Sequence, residues 1–232
     1  MRSEDLDHVR ALSLFRDARE ETFDMLVQSS FLQRFPAGLV LIEEAEPADF
    51  LHVVIDGAVE MFARNAGRET TLSFVYPIGT FILAAVLKDQ VNLQSARTLE
   101  RSRILMIPAA SVREAMQADT SFMSAIVSEL ATGYRTAIKD LKNHKLRTGA
   151  ERLANWILRL DVEQGGSGTV ELGVEKRVLA ARLGMTPENL SRAFTALKPH
   201  GVEVRGARVT LADPDRLRQL AQPNPIIDDY TT

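Results

Sequence analysis

Glu188, Ser191 and Arg192 sit inside the segment MTPENLSRAFTAL and carry the clearest chemistry in the chain. Spaced three and four residues apart at most, they share one face of a helix. Arginine pairs with guanine through two hydrogen bonds, a carboxylate accepts from the cytosine amino group, and a hydroxyl bonds to base edges. Thr186 is a good N-cap and Pro187 a good first residue, so the helix starts there. Leu190, Phe194 and Leu197 point inward, and Asn189 joins the polar face. Just upstream, Val178, Leu179 and Leu183 mark a short helix that Gly184 ends. Ala180 stands four residues before Gly184, where steeply crossing helices need a short side chain. Two short helices joined by a glycine-containing turn form a helix-turn-helix, whose second helix offers its N-terminal residues to the major groove. Val202–Arg205 and Arg208–Leu211 flank Gly206-Ala207 as a tight hairpin, the wing of a winged helix. Lys176, Arg182, Lys198, Arg205 and Arg208 can meet phosphates, with Thr186 and Asn189 in support. The competing reading of these residues is a helical hairpin with a solvated face.

The rest of the chain has to position that group. Residues 4–34 read as helical, with Leu12, Leu14, Phe15, Phe23, Leu26, Val27 and Phe31 on one apolar face. From Phe35 to Pro108, short apolar runs alternate with turn signals such as Pro36-Ala37-Gly38 and Asn65-Ala66-Gly67, the texture of an antiparallel sandwich or roll. Phe81–Leu87 fits a strand or a short helix. Helical periodicity returns from Ala109 to about Lys145. Within it Met123, Val127, Leu130, Tyr134, Ala137 and Leu141 are spaced alternately four and three apart, the period of a coiled coil. Phe122, Ile126 and Ile138 widen that stripe enough to pack on the roll. The seam favours a dimer helix over a helix lying on its own domain. The fold class is therefore α+β, in three parts: helices and a roll over 1–118, a dimerisation helix over 119–145, and a winged helix-turn-helix with a tail over 146–232.

Of the 232 residues, 45% are hydrophobic and 25% charged, an ordinary globular balance. No apolar run approaches the roughly 18–20 residues of a membrane helix. The acidic, polar start MRSEDLDHVR does not read as a secretory signal, so a cytoplasmic protein is expected. With no cysteine, disulfides, iron–sulfur clusters and thiolate zinc sites are excluded. Residues 1–108 carry five more acids than bases and residues 139–212 five more bases than acids, which points to an anionic partner at the C-terminal end. No nucleophile elbow, His-Glu-x-x-His, P-loop or dinucleotide fingerprint is present, which argues against an enzyme. The alternative reading is a small-molecule sensor or enzyme built on the roll and acting without DNA.

The order of these parts resembles the bacterial transcription regulators related to the cyclic-AMP receptor protein and the fumarate–nitrate reduction regulator. The resemblance runs from about Phe35 to Leu211 and is carried by FPAGLVLIEEAEPADFLHVVIDGAVEMF, TGAERLANWILRL and VLAARLGMTPENLSRAFTAL. It implies a homodimer in which an effector-sensing roll signals through the dimer helix to a domain bound at an inverted repeat in double-stranded DNA, with RNA polymerase as a further partner. Glu188, Ser191 and Arg192 match the Glu-x-x-Ser-Arg of the oxygen-sensing branch, whose half-sites are of TTGA type; relatives that use cyclic AMP carry an arginine where Pro187 stands here. Relatives that bind cyclic nucleotides hold the ribose and phosphate with Gly-Glu and, further on, Arg-Ser or Arg-Thr. The best alignment places Leu83-Ala84 and Asn92-Leu93 in those effector-pocket positions, so the acid and the base are both missing. Arg97 lies nearby, out of register. Haem or another small effector is the remaining cofactor expectation. The four histidines, His8, His52, His144 and His200, show no metal-ligand spacing, although His52 and His144 fall where a cavity could be.

Overall fold

The computed structural model describes residues 3–229, and the chain divides into two compact units, Met1–Gly133 and Tyr134–Thr232. The first unit opens with three helices, α1 (Ser3–Ala11), α2 (Ser13–Arg16) and α3 (Glu20–Gln28). The roll follows as β1 (Phe31–Phe35), β2 (Val40–Ile42), β3 (Phe50–Asp56), β4 (Val59–Asn65), β5 (Arg68–Val75) and β6 (Gly79–Phe81). After α4 (Leu83–Lys88) come β7 (Ser95–Thr98), β8 (Ser102–Pro108) and α5 (Ala109–Ala118), and then the long α6 (Thr120–Leu146), which runs across the division between the units. Two antiparallel four-stranded sheets result, ordered β1-β8-β3-β6 and β2-β7-β4-β5.

Residues 4–34 are not one helical stretch. The chain breaks at Asp17–Arg19, and Phe31–Phe35 is a strand, with Phe31 opposite Met106 on β8 and half its surface exposed. The apolar spacing of this segment fits both periods, and pairing with β8 decides between them. The stop signal is Ser29-Ser30, whose hydroxyls donate back to the carbonyls of Leu26 and Val27 and close α3. The ambiguous Phe81–Leu87 divides between the end of β6 and α4.

Leu51, Val53, Leu105 and Ile107, on one face of the first sheet, and Val59 and Met61 of the second all belong to the buried core of the roll. Phe15 stacks on Phe122 at 5.9 Å, so the first helices and the start of α6 close the same core. Asp119 separates α5 from α6. Its buried carboxylate accepts from the amides of Ser121 and Phe122, the second and third residues of α6, and from the amide of Arg19 at 2.7 Å. Burial opposes the charge, but these amides and the Thr22 hydroxyl hold the carboxyl below its usual range. Phe122 and Ile126 are buried in the roll, as their spacing predicts; Ile138 belongs to the second unit and stays exposed.

The second unit continues with α7 (Gly149–Glu163), β9 (Thr169–Glu171), α8 (Lys176–Arg182), α9 (Pro187–Leu197), β10 (Val202–Arg205), β11 (Arg208–Leu211), α10 (Pro214–Ala221) and α11 (Pro225–Asp228). Thr148 and Glu151 form a capping box that starts α7. Leu153, Ile157, Leu179, Leu190, Phe194, Leu197 and Val209 make its core. The strands order β10-β11-β9.

His52, on β3, is buried with its ring flat on Phe81 at 5.0 Å, and burial pushes its pKa down to about 4. The unfolded imidazole titrates near 6.5, so the unfolded chain binds a proton that the folded one refuses between these values. Stability from this residue is complete above pH 6.5 and falls by about 3 kcal/mol as the pH drops to about 4. His52→Phe is expected to remove that component. Urea unfolding of the roll at pH 7 and 4.5 should show the smaller acid loss in the variant.

Candidate nucleic-acid interface

The turn between α8 and α9 fixes the site. Gly184 donates to the carbonyl of Ala181 at 2.9 Å and Met185 to that of Ala180 at 2.8 Å, which closes α8. Gly184 has φ +63°, a left-handed value that glycine tolerates without strain. A Cβ there would also lie 2.7 Å from His144 Cε1 on the last turn of α6. Ala180 is fully buried, as a close crossing requires. Thr186 then accepts from the Asn189 amide at 3.3 Å and Pro187 fills the first helical position, so the expected cap is present.

α9 buries Leu190, Ala193, Phe194 and Leu197 and exposes Glu188, Asn189, Ser191 and Arg192. Glu188 is fully exposed, and its pKa is lowered by its own backbone amide, the Thr186 hydroxyl and the Arg192 charge one turn away. An ionised acceptor and a cationic donor therefore stand side by side on the leading turn. The wing is as expected: β10 and β11 pair with Arg205 opposite Arg208, and Gly206 at φ +66° makes the two-residue turn. Arg205 is exposed and lies 3.7 Å from Glu203, whereas Arg208 is held at 2.8 Å by Glu171 of β9. Lys176 opens α8 with its ammonium 5.9 Å above the Phe194 ring. Arg177 beside it is exposed as well and was not singled out by the sequence, where only its neighbour Lys176 marks it.

The other expected residues are on other elements. Met123, Val127, Leu130, Tyr134, Ala137 and Leu141 all stand exposed on α6. In the roll, Leu83 is buried at the start of α4 and Ala84 is exposed; Asn92 is buried and Leu93 is 83% exposed. Arg97 is engaged on β7, where its Nε donates to Glu60 at 2.7 Å and its Nη2 to Glu69 at 2.8 Å, with the guanidinium 4.5 Å over the Phe62 ring. Glu60 is itself buried and accepts from Thr71. Sequence reasoning missed this network; the cross-strand register that pairs Glu60 with Arg97 is its only signal. Among the described residues no cluster of potential metal ligands is present. Burial, and after it the neighbouring charge of Arg152, lowers the pKa of His144 below the ordinary imidazole value.

A Crp-like helix-turn-helix domain model matches residues 151–220, and a cyclic nucleotide-binding domain model matches residues 32–119. The chain belongs to the Crp/Fnr superfamily. This Crp/Fnr protein is 23% identical over 194 residues to the CRP-like cAMP-activated global transcriptional regulator of Mycobacterium tuberculosis, covering 81% of this chain and 87% of that one. It is 29% identical over 180 residues to the nitrogen fixation regulation protein FixK of Bradyrhizobium diazoefficiens, covering 76% of this chain and 63% of the other. Its fold matches that of FixK2 from Bradyrhizobium japonicum with a TM-score of 0.71 at 22% identity, over 84% and 98% of the two chains. The Crp/Fnr assignment makes the C-terminal unit a DNA-binding domain and the chain a transcription regulator.

Gly184 gives a direct test of how this Crp/Fnr protein builds its turn. Gly184→Ala is expected to destabilise the C-terminal unit by about 1–3 kcal/mol, from left-handed backbone strain plus overlap with His144. Adding His144→Ala should recover only the overlap. Denaturant unfolding of the single and double variants measures the two parts.

Proposed function

We propose that the chain is a homodimeric, sequence-specific transcription regulator that reads an inverted repeat with α9 and responds to an effector other than a cyclic nucleotide. The observation that carries the reading is the exposed group Glu188, Ser191 and Arg192 on a capped helix start, beside a basic hairpin. Such a helix enters the major groove, where Arg192 pairs with guanine, Glu188 accepts from a cytosine amino group and Ser191 lies by a thymine. The resemblance to the Glu-x-x-Ser-Arg branch supports TTGA-type half-sites. Two half-sites about 10–11 base pairs apart follow from two-fold symmetry.

The exposed stripe from Met123 to Leu141 supports the dimer. Val127 is 60% exposed and Tyr134 70%, at heptad spacing, and a second copy of the same helix is the surface that repeats that period. The roll supports a divergent effector. A cyclic phosphate would have to take Arg97 from Glu60, leaving a buried carboxylate without its partner. Neither Leu83-Ala84 nor Asn92-Leu93 supplies a carboxylate or a guanidinium in its place. RNA polymerase is the partner on which a regulator of this kind acts.

A mobility-shift titration against random and selected DNA tests base reading. Arg192→Ala is expected to cost about 1–3 kcal/mol per half-site and to relax one position, whereas Lys176→Ala should weaken all sequences alike and reduce the salt slope by about one. Selection that returns no inverted repeat, or a repeat indifferent to Arg192→Ala, overturns the reading. The dimer is tested separately: Leu130→Glu with Tyr134→Glu should yield monomers on a sizing column, and dimers surviving both changes would place the interface elsewhere.

A further inference from the structure

The segment that follows α10 returns to the connection between α6 and α7. That connection is two residues long: α6 ends at Leu146, Arg147 follows, and Thr148 caps α7. The Arg147 guanidinium is almost wholly buried. It donates through Nη1 and Nη2 to the two carboxylate oxygens of Asp228, both at 2.6 Å, in the fork geometry that makes such pairs strong. Nη1 also donates to Asn143 of α6 at 3.1 Å, and the Arg147 carbonyl accepts from Arg152 of α7 at 2.6 Å. Lys139, buried two turns back along α6, donates its ammonium to the carbonyl of Asp229. At the other end of the segment, Asn155 of α7 donates to the carbonyl of Ala221 at 2.7 Å. Between these anchors Asp228 accepts from the Asn224 amide at 2.7 Å and Ile227 is buried.

Gln222–Asp229 is thus bonded to α6 and to the connecting residue, and Ala221, the last residue of α10 before it, is bonded to α7. Arg147-Thr148 contains neither a proline nor a helical hydrogen-bond ladder that would fix the angle at this point by itself. We propose that Gln222–Asp229 is a strap that, together with the Gly184–His144 contact, sets the angle between α6 and α7, and that releasing it loosens the DNA-binding domain on the end of the dimer helix. The consequence for DNA rests on the dimeric reading above. Two recognition helices held at a fixed separation engage the second half-site at high effective concentration, and a loose joint lowers that concentration without removing a DNA contact. The strap therefore acts on full-site affinity from a position that carries no base-reading residue.

The test uses the full chain with Asp228→Asn, which is isosteric but weakens the fork, and Asp228→Glu, which keeps the charge. Hydrogen exchange followed by mass spectrometry reads the joint. Asp228→Asn is expected to speed exchange of amides 145–150 by roughly tenfold while amides in α9 and β11 keep their rates, with Asp228→Glu closer to the parent protein. Unchanged exchange at 145–150, or faster exchange spread evenly over the C-terminal unit, overturns the strap. Fluorescence anisotropy then compares one half-site with the full inverted repeat. Half-site affinity should hold and full-site affinity should fall by roughly tenfold in Asp228→Asn. Equal losses at both sites overturn the orienting role. Failure of the parent protein to bind either DNA refutes the regulatory reading instead, and the exchange data still judge the strap.

Discussion

The close approach of Gly184 to His144 is the constraint on which the DNA-facing side depends. The backbone at position 184 lies against an imidazole on the last turn of α6, in a conformation that a side chain would strain. Because that contact is tight, α8 stops where it does, Thr186 falls at a cap, and Pro187 begins α9 with Glu188, Ser191 and Arg192 outward. Shifting the turn by one residue would rotate α9 by about 100° and bury the reading face. Packing of Leu190 and Phe194 into the domain core then holds the chosen rotation. The proposed base reading thus depends on backbone geometry set before any charge is considered.

The roll solves a different problem. A sheet face that holds a guanidinium at 18% exposure must supply its counter-charge, and Arg97 has Glu60 across the strand pair and Glu69 beyond it. The pair is strong evidence about what the position does in the folded chain and weak evidence about stability, since burial of both ions costs nearly what their attraction returns. A cation already satisfied inside the protein is a poor receptor for a phosphate. The opposite face of the same strands, where Met61 opposes Ala96, is buried in the apolar core.

How much of this was legible follows the range of the interactions. The helix-turn-helix is local: Gly184, Thr186 and Pro187 each state their role within a few residues, and the structure places them as their chemistry predicts. The wing is equally local, two strands about one glycine turn. Phe31–Arg34 departs from the helical expectation because its partner β8 lies some seventy residues away, and pairing at that distance leaves no mark on the helical period of the segment. The two serines after Gln28 were the available sign. Glu60 and Arg97, like Arg147 and Asp228, are thirty-seven and eighty-one residues apart, and neither pair has a sequence signature. The seam on α6 lies between these cases, since its period is visible and its exposure required coordinates.

The ion pair between Arg208 and Glu171 has a kinetic consequence. The five-base excess of residues 139–212 already counts Glu171 and Asp140, but pairing decides which cations an approaching duplex meets unopposed: Arg208 faces Glu171, Arg182 lies 3.7 Å from Asp140 and Arg147 is clasped by Asp228. A phosphate that engages Arg208 must evict a carboxylate and then lie near it. Non-cognate DNA offers little besides phosphates, so a surface on which part of the cations are already paired holds it more briefly than its charge alone would. The molecule would then sample sites by short encounters, and dwell only where α9 finds its bases.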